Sequence, residues 1–198
     1  MIMKNNNHFL SILFCFFSLN LPAQKDNHGQ EKKHRFSLYV GVGPNYYFNN
    51  LVIAKNYVQP WNYSLTARLM WEPEHFISLG IESGYSQLYT VKYKAPSLWP
   101  AQVTKIAVPV QLVVSMKFLK NYYADLSMGQ SNLVDKFSSP DMGSFETSTW
   151  SLADFGVTLG YKYHINNRIS VGAESKFFHS TKNKDSNLAF VFMVAFNF

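Results

Sequence analysis

The side chains with the most chemistry to offer are charges on the polar faces of otherwise apolar segments: Arg68, Glu72, Glu82, Lys105, Lys117, Asp125, Lys162, Glu174 and Lys176. Acids and bases occur in similar number. Charges spread over several segments in this way have two uses. They line a polar passage for ions or small solutes, or they pair and tie the segments together from inside. A charge withdrawn from water must be paired. A narrow interior that side chains already fill leaves no passage. Pairing is therefore the expectation, although the sequence does not say which acid meets which base.

A second candidate is nucleophilic. Phe178-His179-Ser180-Thr181 sets a histidine beside two hydroxyls. A histidine activates a hydroxyl within hydrogen-bond reach when a third group orients the ring. In an extended chain His179 and Ser180 point to opposite faces. Thr181 shares the His179 face, but no acid occurs from Ser186 to Phe198 to orient the imidazole. No catalytic residue is assigned. His28, His34, His75, His164 and His179 are scattered, and none pairs at metal-ligand spacing. No glycine-rich phosphate loop opens a helix. The sequence therefore predicts neither a metal nor a cofactor, and no nucleic-acid partner.

Strands must carry these residues. Eight segments alternate with a period of two: Phe36–Tyr47, Tyr63–Trp71, Phe76–Tyr89, Thr104–Phe118, Tyr122–Gln130, Leu152–Tyr163, Ile169–His179 and Asn187–Phe198. That period is a β signal. The last segment shows it most cleanly. Leu188, Phe190, Phe192, Val194, Phe196 and Phe198 fall on one side, and Ala189, Val191, Met193, Ala195 and Asn197 on the other. A face with four phenylalanines and nothing polar does not suit water. Tilted strands of about 9–11 residues cross a bilayer.

The connections alternate in length. Glu72–His75, Leu119–Asn121 and Asn166–Arg168 are short, while Phe48–Asn62, Thr90–Val103, Ser131–Ser151 and Ser180–Asn187 are long. Short periplasmic turns, longer outer loops and an even strand count are the pattern of outer-membrane barrels. The Ser/Thr-rich stretch Ser131–Ser151 is expected as an exposed mobile loop. Gly41, Gly43, Gly80, Gly84, Gly129, Gly156, Gly160 and Gly172, eight of the ten glycines, fall on the polar face. A crowded interior needs small residues, so the polar face points inward and the apolar face outward. The fold expected over residues 36–198 is all-β, an eight-stranded antiparallel up-and-down transmembrane barrel. Trp71, Phe118, Tyr163 and Phe198 end four strands on the outer face and form a periplasmic aromatic girdle. Tyr46, Tyr63, Tyr85 and Phe177 supply the opposite one.

Composition agrees. Aromatics make up 17% of 198 residues and charged residues only 15%. Mean hydropathy is −0.12, as alternation produces, and no apolar run after the leader is long enough for a membrane helix. Residues 1–23 read as a signal peptide, with Lys4 in the basic region, Phe9–Leu19 apolar and Asn20-Leu21-Pro22-Ala23 at the cut. Cys15 lies inside that leader, so the mature chain has no thiol and no disulfide. The net charge of +6 is scattered except at Lys32, Lys33, His34 and Arg35. Residues 24–35 read as a disordered periplasmic lead-in.

Ile77-Ser78-Leu79-Gly80-Ile81-Glu82-Ser83-Gly84-Tyr85, Ala107-Val108-Pro109-Val110-Gln111-Leu112 and Gly156-Val157-Thr158-Leu159-Gly160-Tyr161 resemble the PorT-like outer-membrane β-barrel domain family of Gram-negative bacteria. The resemblance covers essentially all of the mature chain and implies the cell outer membrane as its location. Phe198, with Phe190, Phe192, Val194 and Phe196 before it, looks like the signal read by the barrel assembly machinery. The partners implied are outer-membrane lipid, that machinery during insertion, and a periplasmic or outer-membrane protein. Three functions follow in order. The first is a structural or interaction barrel with a filled lumen. The second is a narrow pore or a conduit for small solutes or apolar molecules. The third is a lipid A-modifying hydrolase, for which His179 is the residue to watch.

Overall fold

A computed structural model describes residues 35–48, 57–73, 76–93, 101–140 and 143–198. The leader, the lead-in up to residue 34, and His28, His34 and His75 lie outside the described residues. The described strands are β1 (Arg35–Tyr47), β2 (Val58–Gln59), β3 (Trp61–Glu72), β4 (Ile77–Tyr93), β5 (Ala101–Lys117), β6 (Tyr122–Ser139), β7 (Gly143–His164), β8 (Ile169–Ser180) and β9 (Asp185–Asn197). Arg35, assigned to the lead-in, opens β1 opposite Glu72.

Every pairing is antiparallel. The order runs β4-β3-β1-β9-β8-β7-β6-β5, and β5 pairs back onto β4 to close an eight-stranded barrel. The two-residue β2 extends the β4 edge through Val58↔Val91. First and last strands meet in the register Val40↔Val194 and Leu38↔Phe196. Their ends are fastened by Phe36 N to Phe198 O at 3.1 Å and Phe198 N to Phe36 O at 2.9 Å. Closure lets the backbone groups of the wall bond to one another, which hydrocarbon requires.

The barrel is apolar outside and polar inside. Met128 and Phe192 are each 70% exposed, whereas Arg68 is 3% and Asp125 2% exposed. In water this arrangement would be inverted; against lipid tails it is the stable one. Inside, the apolar residues form two layers. Tyr39, Met70, Val113, Tyr123, Met193 and Ala195 pack near the end where β1 begins and β9 ends. Tyr47, Leu88, Ala107, Leu133 and Phe178 pack near the opposite end.

Three expected loops are shorter than the sequence implied. β6 continues to Ser139 and β7 begins at Gly143, so most of Ser131–Ser151 is a hairpin rather than a mobile loop. β4 reaches Tyr93 and β5 starts at Ala101, inside the stretch Thr90–Val103. β8 runs to Ser180 and β9 from Asp185, leaving Thr181–Lys184 as the connection. One physical reason covers all three. Beyond the bilayer the outward face no longer needs to be apolar, so the alternation that marks a strand in lipid fades while the hydrogen-bonded ladder continues.

Candidate functional site

The inward-facing charges converge on Arg68. Its guanidinium donates to Asp125 on β6 and Glu174 on β8, and its Nε lies 3.8 Å from Glu82 on β4. Lys176 donates to Glu82. Arg68 also sits over the rings of Tyr39 and Tyr123, 4.9 and 5.8 Å from their centres. A forked, permanently charged guanidinium suits this position because it meets two carboxylates at once.

Towards the end where β1 begins and β9 ends, a second group forms around Glu72. Lys117 Nζ donates to it at 2.6 Å, Lys162 Nζ lies 3.3 Å away, and the Tyr39 hydroxyl donates to it. Lys162 also donates to the Tyr39 oxygen at 2.6 Å. The group borders a cavity of about 160 Å³ lined by Ser78, Lys117, Lys162 and His164 among others. Towards the other end Asn45, Ser86 and Asn187 bond to one another, and Lys105 lies 3.3 Å from Asp135. The charges therefore meet in three places rather than one, with Lys105 apart from the rest.

Several members of these groups escaped sequence reading. Tyr39 and Tyr123, whose hydroxyls donate to Glu72 and Glu174, carried no signal except their parity on the inward face. Asp135 lay in a stretch read as loop. Asp154 and Asp185 are 0% and 3% exposed. Asp154 accepts from Ser151 Oγ at 2.5 Å and from Thr181 N at 3.0 Å, and Asp185 accepts from Tyr47 at 2.6 Å. With Asp135 included, five bases (Arg68, Lys105, Lys117, Lys162, Lys176) face five acids (Glu72, Glu82, Asp125, Asp135, Glu174).

Gly160 makes room for this arrangement. A Cβ added there would overlap the Tyr123 ring and hydroxyl. Gly160→Val should therefore push Tyr123 off Glu174 and lower unfolding free energy by about 1–3 kcal/mol, the usual cost of overpacking. Urea titration in detergent micelles measures it, and an unchanged midpoint would refute the contact.

The family model described as outer membrane protein beta-barrel domain matches residues 11–198. The chain belongs to that family. This outer-membrane barrel resembles solved barrels in shape far more than in sequence. Ail, the attachment invasion locus protein of Yersinia pestis, crystallised with the heparin analogue sucrose octasulfate, is 12% identical with a TM-score of 0.53; the match covers 84% of this chain and 99% of that one. Neisserial surface protein A is 14% identical with a TM-score of 0.48, covering 82% and 97%. The N-terminal barrel of Pseudomonas aeruginosa OprF is 12% identical with a TM-score of 0.46, covering 84% and 100%. No curated protein matches in sequence.

On the outer face of this family member, His179 Nδ1 lies 2.8 Å from Ser186 Oγ, across the pair His179↔Ser186. Ser180 turns inward instead and donates to Ser151 Oγ at 3.2 Å. The His179 ring packs on Phe155 at 5.0 Å. No carboxylate among the described residues bonds to the imidazole, so the orienting group a hydrolytic triad requires is missing there. No three metal-ligating side chains cluster among the described residues.

Phe36, Trp71 and Phe198 stand together at the end where β1 begins and β9 ends, through Phe36↔Trp71 and the Phe36–Phe198 bonds. Phe118 directly follows β5 and Tyr163 is the penultimate residue of β7, at that same end. Phe190, Phe192, Val194 and Phe196 all face outward along β9. At the opposite end Tyr46 packs on Trp61 at 4.9 Å and Tyr63 stacks on Tyr85 at 5.5 Å.

Proposed function

We propose that this outer-membrane protein is a structural and interaction barrel whose lumen is shut by its own charge network. The observation that carries the reading is Arg68, buried in the lumen and held by carboxylates from β6 and β8 while β4 supplies a third. A side chain anchored across the bore in that way leaves nothing for a solute to follow, and each ion pair it makes joins separate staves. The role we assign to Arg68, Glu72, Glu82, Lys105, Lys117, Asp125, Lys162, Glu174 and Lys176 is therefore structural. Trp71, Phe118, Tyr163 and Phe198 serve as the periplasmic girdle, and Phe190 to Phe198 as the segment handed to the barrel assembly machinery. Residues 1–23 direct export. Within the family, the three motifs quoted above support the PorT-like grouping.

Purified protein in planar bilayers should give no steady unitary current at physiological salt. A reproducible conductance step would overturn the closed-lumen reading in favour of a narrow pore.

A further inference from the structure

The cavity at the end where β1 begins and β9 ends holds more positive charge than its neighbours answer. It lies behind the turn of residues 118–121, between β5 and β6. Lys117, Lys120 and Lys162 border it, and among its described lining residues Glu72 is the one carboxylate. Glu72 is already shared by Lys117 and Lys162, at 2.6 and 3.3 Å. Lys120 makes no ion pair among the described residues. Arg35 has the inward parity of Ser37 and Tyr39 and opens β1 opposite Glu72. The Arg68 group behind the cavity sets Arg68 and Lys176 against Glu82, Asp125 and Glu174. Four bases at the mouth thus face one acid, and two bases face three acids behind it. Among the described residues of the two groups, a surplus of two positive charges remains.

Unfilled hydrogen bonds point to the same place. Ser78 is 1% exposed and its Oγ has no partner, and Arg68 Nε, also buried, has none. Both residues border the cavity. A buried polar group without a partner calls for an occupant. The volume of about 160 Å³ has room for about five waters at ~30 Å³ each, and hence for a tetrahedral oxyanion. Water would meet the hydroxyl but leave the charge unanswered. The ladders around the cavity are continuous there, so a solute enters from the rim, where the Lys117 side chain is 39% exposed. The turn that carries Lys120 is held in place. Lys162 N donates to the Asn121 carbonyl at 2.8 Å, and Asn121 Nδ2 donates to the Tyr161 hydroxyl at 3.1 Å.

We propose that this cavity is a binding site for a phosphate group, entered from the end of the barrel assigned above to the periplasm. A phosphate monoester carries about −1.5 to −2 charges at pH 7 and three strong acceptor oxygens. One such group balances the surplus and gives acceptors to Lys117, Lys120 and Ser78 together. A carboxylate brings about half that charge and two oxygens. The site lies on the rim side of Arg68, so it needs no passage through the lumen.

The test uses the full chain refolded in maltoside micelles, which contain no phosphate. Inorganic phosphate is titrated at constant ionic strength while amide shifts are read by NMR. Saturable shifts at Ser78, Lys117, Lys120 and Asn121, with a Kd of about 1 mM or tighter, are expected. Lys120→Gln should weaken binding by about tenfold and Ser78→Ala by about threefold. Neither removes a bond the barrel uses, so refolding should be unchanged. Lys92→Gln, at the far end of β4, alters net charge equally and should leave the affinity as it was. No saturable shift, or equal weakening by Lys92→Gln, overturns the proposal. Equal shifts from acetate overturn the choice of phosphate. Doping the micelles with phosphatidylglycerol separates the sources: the same shifts without added phosphate assign the site to a lipid headgroup, and an unchanged spectrum assigns it to a soluble phosphate. A conducting barrel that saturates with phosphate defeats only the closed-lumen reading, whereas a silent barrel that does not saturate defeats only this one.

Discussion

Arg68→Met should lower the unfolding free energy of the barrel by about 3–5 kcal/mol, measured by urea titration in micelles or thin-bilayer vesicles. The size follows from what is left behind rather than from the bonds removed. Asp125 and Glu174, 2% and 4% exposed, would lose the guanidinium that both of them accept from, while Glu82 would keep Lys176. An unpaired buried carboxylate is expensive, whereas a polar neutral group of the same shape is tolerated. Arg68→Met combined with Asp125→Asn and Glu174→Gln should therefore recover most of the loss. Recovery distinguishes charge pairing from simple packing of the long side chain, which the neutral partners would not restore. Arg68→Lys should fall between the extremes, because a single ammonium cannot fork to carboxylates on β6 and β8 at once. A methionine variant within about 1 kcal/mol of the parent would remove Arg68 from the centre of the lumen and the closed-bore reading with it.

The same residues show how far sequence reaches. Arg68, Asp125 and Glu174 could be placed on inward faces because Leu69, Ala124 and Ala173 beside them fixed the parity of each strand. Their meeting could not be read, because it depends on the registers Arg68↔Glu82 and Ser115↔Asp125 and on closure between β1 and β9. Tyr39 and Tyr123 were hidden for a related reason: an aromatic inside a barrel looks, in sequence, like an aromatic outside it displaced by one position. The raised hairpin was missed because the alternation in lipid comes from hydrophobicity. Phe145, Thr147 and Thr149 alternate with Ser144, Glu146 and Ser148 only weakly, so nothing marks the strand except β propensity. His179 was weighed against its neighbours in sequence, and its partner, Ser186, lies on the next strand.

Leu159→Arg should cost about 2–4 kcal/mol, and Leu79→Arg a comparable amount, because each places a guanidinium near the middle of the hydrocarbon. Leu159 is 58% and Leu79 46% exposed, so neither change disturbs the packed interior. On a barrel surrounded by water, an exposed leucine replaced by arginine shifts stability by no more than about 0.5 kcal/mol. The two environments thus predict different outcomes for one substitution, and only the direction in which the apolar face looks decides between them. The sites lie on β4 and β7, with β5 and β6 between them in the wall, so their costs should add. The double variant would lose about 4–8 kcal/mol, comparable to the whole stability of an ordinary domain. It should fail to fold into vesicles and should lose the mobility difference between boiled and unboiled samples on a gel. Depth gives a second check within the same series. Tyr163→Arg, at the girdle, should cost only about 0–1 kcal/mol, since a charge at the interface keeps its water. A flat profile across Leu79, Leu159 and Tyr163 would mean that hydrocarbon does not cover this face. The steep profile follows directly from a wall whose polar groups are spent on its own ladder and lumen.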